Sequence, residues 1–360
     1  MSTETQSPVR VTKEPPSGSI RPRRRLPRFA ALGLYVAGIA LGALLSALTG
    51  FSIALTVIYG AILGALAVYV GSRVVEGRRK ATDRLVTALV TTAFAVAMVP
   101  LVSLVYTVLD KGLARFDGAF FSNSMFRVVG EGGGAYHAIL GTVVITALAA
   151  VISVPIGLLT AIYLVEYGSG RLKRAITFFV DVMTGIPSIV AGLFAFALFT
   201  LVFGNDVRLG VMGAVALSVL MIPVVVRSCE EVLKLVPNEL REASYALGVP
   251  KWRTVVKVVL PTAVAGLGTG ITLAVARVVG ETAPLLVTVG LITGTNLNPF
   301  DGRMATLPVF AFYQLTQPGT ATQAFLDRAW TAALVLIILV MVLNVVARLI
   351  SRLFAPKTGR

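Results

Sequence analysis

The sequence predicts an all-α integral membrane protein with about eight transmembrane helices. Its 360 residues are 56% hydrophobic and only 14% charged, and the mean hydropathy is +0.86. Water-soluble domains carry about 25% charged residues, so this composition excludes that class, and it also excludes disordered and fibrous proteins. The apolar residues are gathered in stretches of about 20, the length that crosses the hydrocarbon layer of a membrane.

Eight stretches meet this length requirement. The first is longer than the core of a signal peptide and a second follows it after a short turn, so we interpret it as a retained helix. Residues 1–28, which precede it, hold Pro, Ser, Thr and a cluster of arginines, and this predicts a disordered basic tail. The predicted spans are 29–48, 52–71, 85–109, 138–165, 175–203, 209–226, 258–289 and 330–350.

The basic residues fall almost entirely on one side of these spans. Of the 32 Lys and Arg residues, 25 lie in the tail, the alternate loops and the C-terminus that share a side, whereas six lie opposite. Because basic loops stay in the cytoplasm, both termini are predicted to be cytoplasmic. The net charge of +15 is therefore explained by topology, and we expect membrane lipid as a partner and no nucleic acid.

Other residues indicate where helices pack closely, where a helix is interrupted, and which kinds of site the sequence excludes. Pro187 lies within a span, and residues 185–188 form either a packed kink or a helix broken around a cavity. A single cysteine, Cys229, and a single histidine, His137, exclude an intrachain disulfide and a histidine-rich metal site, so no cofactor or metal is expected. Small-xxx-small spacing predicts close helix packing at Gly38 with Gly42, Gly60 with Gly64, and Gly266 with Gly270.

The loop between the sixth and seventh spans is too regular to be a linker. Pro237 stands at the start of a short helical pattern and Gly248 closes it, which predicts a short helix. Leu240, Ala243 and Leu247 are spaced i, i+3 and i+7, so they would form one apolar stripe. The stripe indicates a surface for a partner protein or, alternatively, for the membrane interface or the chain's own bundle.

The same loop resembles the EAA loop of ABC importer permeases. Its pattern is Glu242-Ala243-Ser244, three residues, Gly248, nine residues, and then Val258-Val259-Leu260-Pro261, with Ser244 in place of alanine and Val258 in place of isoleucine. The chain has no G-x-x-x-x-G-K-[ST] phosphate loop, so we do not expect it to be an enzyme, and ATP hydrolysis would belong to a separate subunit. The resemblance implies a coupling loop over residues 237–261 in which the ATPase is contacted by Leu240, Glu242, Ala243, Ser244, Leu247 and Gly248.

The seventh span contains Arg277 and Glu281, four residues apart and so on one face of a continuous helix. The sixteen residues from Pro261 to Arg277 correspond to roughly 24 Å of helix, which places the pair in the outer part of the bilayer. A lone arginine near the bilayer centre costs about 2.5–3.5 kcal/mol, so Arg277 should face a protein interior or water and have a partner, for which Glu281 is the obvious candidate. The pair is either an internal ion bridge or a site at which the guanidinium grips a tetrahedral oxyanion while Glu281 limits how tightly the anion binds. In the second case Thr282 adds a hydroxyl.

Four stretches resemble the PstA-type permeases of phosphate-specific ABC importers, and the resemblance covers about residues 85–355. The residues 282–285, Thr-Ala-Pro-Leu, favour the PstA type over its PstC-type partner. Six core spans are implied, so the predicted domains are a tail (1–28), an added N-terminal helical pair (29–84) and a permease domain (85–355). The four stretches are 137–142, 161–164, 185–194 and 280–286.

The resemblance implies a subunit of a phosphate importer in the cytoplasmic membrane of a bacterium. Its implied partners are a PstC-type permease, two copies of a PstB-type ATPase and a PstS-type phosphate-binding protein, with Arg277, Glu281 and Thr282 in the substrate path. Two other functions stay open, a permease for another oxyanion such as molybdate or sulfate, and an ion-driven secondary carrier. A membrane enzyme is disfavoured because the spans hold no paired acids, metal cluster or nucleophile with a base.

Overall fold

The computed structural model describes residue 27 and residues 29–48, 52–204 and 207–354. Every regular element in this part of the chain is a helix. Seven of the described helices are long and apolar enough to cross a membrane, or eight when one bent pair is counted as a single span. The predicted all-α membrane class is therefore confirmed, whereas the predicted basic tail lies almost wholly outside the described residues.

The helices are numbered in chain order, and two short π-helical segments are named π1 and π2. They are α1 (Ala30–Leu48), α2 (Ile53–Val75), α3 (Arg78–Gly112), α4 (Gly118–Ser122), α5 (Tyr136–Ile162), π1 (Tyr163–Tyr167), α6 (Gly170–Thr184), α7 (Ser188–Phe203), α8 (Gly210–Lys234), α9 (Asn238–Ala246), α10 (Lys251–Thr254), π2 (Val255–Val259), α11 (Leu260–Val279), α12 (Ala283–Thr288), α13 (Leu307–Thr316) and α14 (Thr322–Phe354).

The chain forms two compact units, and the boundary between them follows Leu104 in α3. In the first unit, the predicted glycine positions are where α1 and α2 meet. A Cβ added at Gly42 would lie only 2.6 Å from the Cα of Gly60, and Gly38 meets Gly64 in the same way. The two helix backbones can approach this closely only because these positions have no side chain. The predicted limits of the three domains stay predictions.

The fifth predicted span is a pair of helices, α6 and α7, with a bend of 107° between them. Pro187 lies at the break, where it cannot donate a backbone hydrogen bond, and α7 begins at the next residue. Of the two interpretations of residues 185–188, the structure supports the broken helix. Asp181 of α6 pairs with Arg227 of α8, and this ion pair joins α6 to the bundle.

The seventh predicted span was wrong at its C-terminal end, because α11 stops at Val279 and does not continue to residue 289. Pro284 has no N–H to donate to the carbonyl of Gly280, four residues earlier, and its ring would clash with that carbonyl in an α-helix. The chain therefore leaves the helix at Gly280 and starts the short helix α12. Arg277 lies in the last turn of α11 and Glu281 lies beyond its end, so the predicted shared helix face does not exist.

The core of the second unit is built around α8, whose fully buried side chains Leu217, Met221 and Val225 follow one face of the helix. The stretch at residues 137–142 ties α5 to the start of α13. Gly141 allows close approach of the backbone at residue 305, and the Thr142 hydroxyl oxygen accepts a hydrogen bond from the Leu307 N–H at 2.8 Å. This polar contact satisfies a backbone donor at a helix start, which a membrane interior requires.

Candidate functional site

The first candidate site is the loop that contains α9. Pro237 precedes the helix with φ −58°, which is suited to a helix start, and α9 ends at Ala246. Gly248 then takes φ +75°, a left-handed conformation that favours glycine, and the chain turns toward α10. The predicted short helix is therefore present, with the predicted glycine closing it.

The apolar stripe of α9 is uncovered. Leu240 is 41% exposed, Leu247 is 83% exposed, and Ala243 is also exposed. The alternative in which the stripe packs on the chain's own bundle is therefore wrong. Glu242 is exposed as well, whereas Ser244 is buried and its hydroxyl shares a 2.8 Å hydrogen bond with that of Thr254. Of the six predicted ATPase contacts, Ser244 is the one that packs against the chain itself.

A buried ion pair that sequence reasoning missed holds α9 in place. The Arg241 guanidinium donates to the carboxylate of Glu166 in π1, from Nε at 3.0 Å and from Nη2 at 2.8 Å. The two side chains are only 12% and 4% exposed. They stand 75 residues apart in the sequence, and no spacing pattern connects them, so the sequence carried no signal for this pair.

The second candidate site is the C-terminal end of α11. Arg277 is exposed, and its guanidinium forms no ion pair with Glu281 or with any other residue that the structure describes. The predicted internal ion bridge is therefore wrong. The Thr282 hydroxyl turns back toward the carbonyl oxygen of Gly280 at 3.5 Å. The three predicted path residues, Arg277, Glu281 and Thr282, are close in sequence, but the structure, which describes all three, shows no hydrogen bond or ion pair among their side chains.

Arg277 belongs to an uncovered stripe that follows α11. Thr262, Thr269, Leu273 and Arg277 are exposed and recur at intervals of seven, four and four residues, so they lie on one helix face. A face that ends in an arginine is less suited to lipid than an entirely apolar face, because charged side chains within a membrane are rare and usually face protein or water. The stripe is therefore suited to water or to a protein partner.

Two of the stretches singled out in the sequence meet beside this site. Gly192 of α7 packs against Pro284 of α12, and a Cβ at Gly192 would lie 2.6 Å from the Cα of Pro284. On the other side of α12, Leu285 packs over Gly213 of α8. The turn that follows Arg277 is therefore fixed between two helices.

The described residues contain no group of three or more His, Cys, Asp or Glu side chains that could hold a metal ion. The chemistry of both sites consists of charge, hydrogen bonding and shape.

Comparison with known proteins agrees with this architecture. A family model described as "Binding-protein-dependent transport system inner membrane component" matches residues 153–360, more than half of the chain. The phosphate transport system permease protein PstA 1 of Mycobacterium tuberculosis is 50% identical over 276 residues, which cover 76% of this chain and 90% of that protein. The protein named phosphate transport system permease protein PstA of Yersinia pestis is 38% identical over 258 residues, covering 71% of this chain and 84% of its own.

Among solved structures, a chain of a bacterial alginate ABC transporter, in complex with a periplasmic protein bound to an alginate pentasaccharide, shares the fold. Its TM-score is 0.54 at 14% identity, and the match covers 78% of this chain and 97% of that one. The bent helix pair, the apolar spans and the family match agree with one another. The chain belongs to the family of inner membrane components of binding-protein-dependent transport systems, and it is a multi-pass membrane protein.

Proposed function

We propose that this chain is the PstA-type permease subunit of an ATP-driven importer and that it forms part of the path for inorganic phosphate. The observation that carries the proposal is the 50% identity with a phosphate transport permease over 90% of that protein's length. The exposed, unpaired Arg277 supports it, because the guanidinium donors are available to a tetrahedral oxyanion.

The proposed assembly has three kinds of protein partner. A PstC-type permease would cover the exposed stripe of α11, so that the path runs between the two subunits. Two PstB-type ATPases would bind at the cytoplasmic face, the side on which the distribution of basic residues predicts both termini and α9. A PstS-type protein would deliver phosphate from the opposite side.

In the proposed mechanism, ATP binding closes the two ATPases, and α9, seated on one of them, moves with it. The bundle then opens toward the binding protein, and phosphate enters the path beside Arg277. A single guanidinium offers at most two parallel hydrogen bonds to the anion, which is a weak site that releases what it catches. Glu281 and Thr282 lie within five residues of Arg277 and adjust the local charge and hydrogen bonding.

The path is tested by replacing Arg277. We expect Arg277→Gln to assemble normally and to lose phosphate uptake in proteoliposomes that contain the ATPase, the second permease and the binding protein. The matched control is Arg348→Gln, at an exposed arginine of a different helix, α14. Uptake by Arg277→Gln at the rate of the control would contradict the role of Arg277.

The substrate and the energy source are tested with the unaltered complex. We expect phosphate to stimulate ATP hydrolysis, whereas stimulation by molybdate or sulfate alone would favour the alternative oxyanion permease. Uptake by the purified chain without ATP or partners would favour a secondary carrier.

The exposed carboxylate on α9 is tested by Glu242→Gln, which we expect to reduce copurification of the ATPase or to uncouple hydrolysis from uptake.

A further inference from the structure

The helix α9 is tied to two core helices by two polar contacts, of which one is buried and the other is largely buried. Arg241 reaches Glu166 in π1, the continuation of α5. Ser244 reaches Thr254, the residue that immediately precedes π2 and α11. Any displacement of α9 therefore acts on α5 through an ion pair and on α11 through a pair of hydroxyl groups.

The contact to α5 is the stronger of the two, because Arg241 uses all of its donor groups. Besides the two bonds to Glu166, Nη2 donates to the carbonyl of Leu233 at 3.0 Å, and Nη1 donates to the carbonyl of Val236 at 2.6 Å and to the side chain of Asn238 at 3.2 Å. One guanidinium thus joins the end of α8, the start of α9 and the end of α5. The pair is buried, so removal of one partner would leave a charge without compensation.

Both contacts lie next to a π-helical segment. In π1 the N–H of Gly168 bonds the carbonyl of Tyr163, five residues earlier. In π2 the N–H of Leu260 bonds the carbonyl of Val255, and Pro261 follows with no N–H to continue the ladder. Such segments are rare in proteins and occur frequently at functional sites. Each core helix is therefore held by α9 at or next to a π-helical segment.

From this arrangement we infer that the Glu166–Arg241 ion pair is a latch that transmits the movement of α9 to α5, with both side chains acting as positioning residues for transport. The inference rests on the proposed function, because it requires an ATPase that moves α9. Arg241 and Glu166 would contact neither the substrate nor ATP. Their effect would be on the number of phosphate ions imported per ATP hydrolysed.

The test uses the complete complex in proteoliposomes and measures phosphate accumulated and ATP hydrolysed in the same sample. We expect Glu166→Gln, which keeps the shape of the side chain and removes its charge, to leave the complex intact and to lower transport per ATP by about threefold or more. Arg241→Lys keeps the charge but loses the planar fork, and we expect a smaller loss of the same kind. In the double variant Glu166→Gln/Arg241→Gln, transport per ATP should fall no further than in the more affected of the single variants Glu166→Gln and Arg241→Gln. The reason is that the two residues act as a unit.

The matched control is Glu230→Gln. Glu230 has a side chain 6% exposed and pairs with Arg227 and Lys234, and all three residues lie on α8. The Glu230→Gln substitution therefore removes a comparable buried charge from α8 and leaves the contacts of α9 unaltered. We expect transport per ATP to be unchanged in this variant. A merely structural role of the latch would lower assembly and leave the ratio unchanged.

Three results would overturn the inference. One is an unchanged ratio in an intact Glu166→Gln complex, and another is an equal fall in the Glu230→Gln control. The third is failure of both Glu166→Gln and Arg241→Lys to assemble while the control assembles, which would assign the pair to assembly. A wild-type complex without ATP-driven phosphate uptake would instead overturn the proposed function, and the latch with it.

Discussion

Two arginines of this chain have opposite environments. Arg241 lies within α9, and Arg277 lies in the last turn of α11. The side chain of Arg241 is only 12% exposed, faces the carboxylate of Glu166, and has every donor group occupied. Arg277 is exposed and has no ion pair among the described residues, although Glu281 is four residues away. An arginine whose donors are all used by its own chain joins elements of that chain, whereas an arginine with free donors is available to a ligand.

The largest effect on stability is expected from the removal of Arg241, the largely buried arginine of the two. We expect Arg241→Ala to lower the free energy of unfolding by about 3–5 kcal/mol, because Glu166 is left as a buried charge without a partner. Thermal unfolding of the purified chain in mild detergent measures the effect. The control is Arg253→Ala, at an exposed arginine of the same loop. A loss no larger than that of the control would show that the buried pair does not stabilise the fold.

The next largest effect is expected where the chain turns after α9. Gly248→Ala should lower the free energy of unfolding by about 1–2 kcal/mol, because a residue with a Cβ is strained at φ +75°. The added Cβ would meet no atom within 4 Å, so the loss would come from backbone conformation alone. Gly268→Ala is the matched control, since its Cβ also meets nothing and its helical φ suits alanine. Equal losses at the two positions would contradict the conformational explanation.

A smaller effect is expected at the hydroxyl contact between α9 and α10. Ser244→Ala should lower the free energy of unfolding by about 1 kcal/mol, because the hydroxyl of Thr254 loses its 2.8 Å partner and keeps only a 3.5 Å contact with the carbonyl oxygen of Pro250. With Thr254→Val added, the total loss should be less than the sum of the two single losses, since neither hydroxyl is then left unpaired. Strictly additive losses would show that the two groups do not interact.

The smallest change in stability is expected at the site proposed to matter most for transport. Arg277→Ala should alter the free energy of unfolding by no more than about 0.5 kcal/mol, because the side chain is exposed and unpaired. Phosphate uptake should nevertheless be lost. Unfolding in detergent and uptake in proteoliposomes measure the two effects separately, and a large loss of stability would place Arg277 with the structural arginines.

Much of this architecture could be predicted from local patterns. Hydropathy over stretches of about 20 residues located the spans, and the glycine spacing located the close contact of α1 with α2. Pro187 marked the break between α6 and α7, and Pro237 and Gly248 marked the limits of α9. Pro284 would have predicted the end of α11 if its missing N–H had been weighed against the apolar run around it.

By itself, the sequence determined the membrane class, the helices and their breaks, because each depends on residues that are neighbours along the chain. Only the tertiary structure decided which charges are partnered. Glu166 and Arg241 are 75 residues apart and meet because α5 packs on α8 and α9 follows the end of α8, whereas Arg277 and Glu281 are close in sequence and are separated by the end of a helix. Charge pairing depends on distances of a few ångströms in space, and sequence spacing reports those distances only within an unbroken helix.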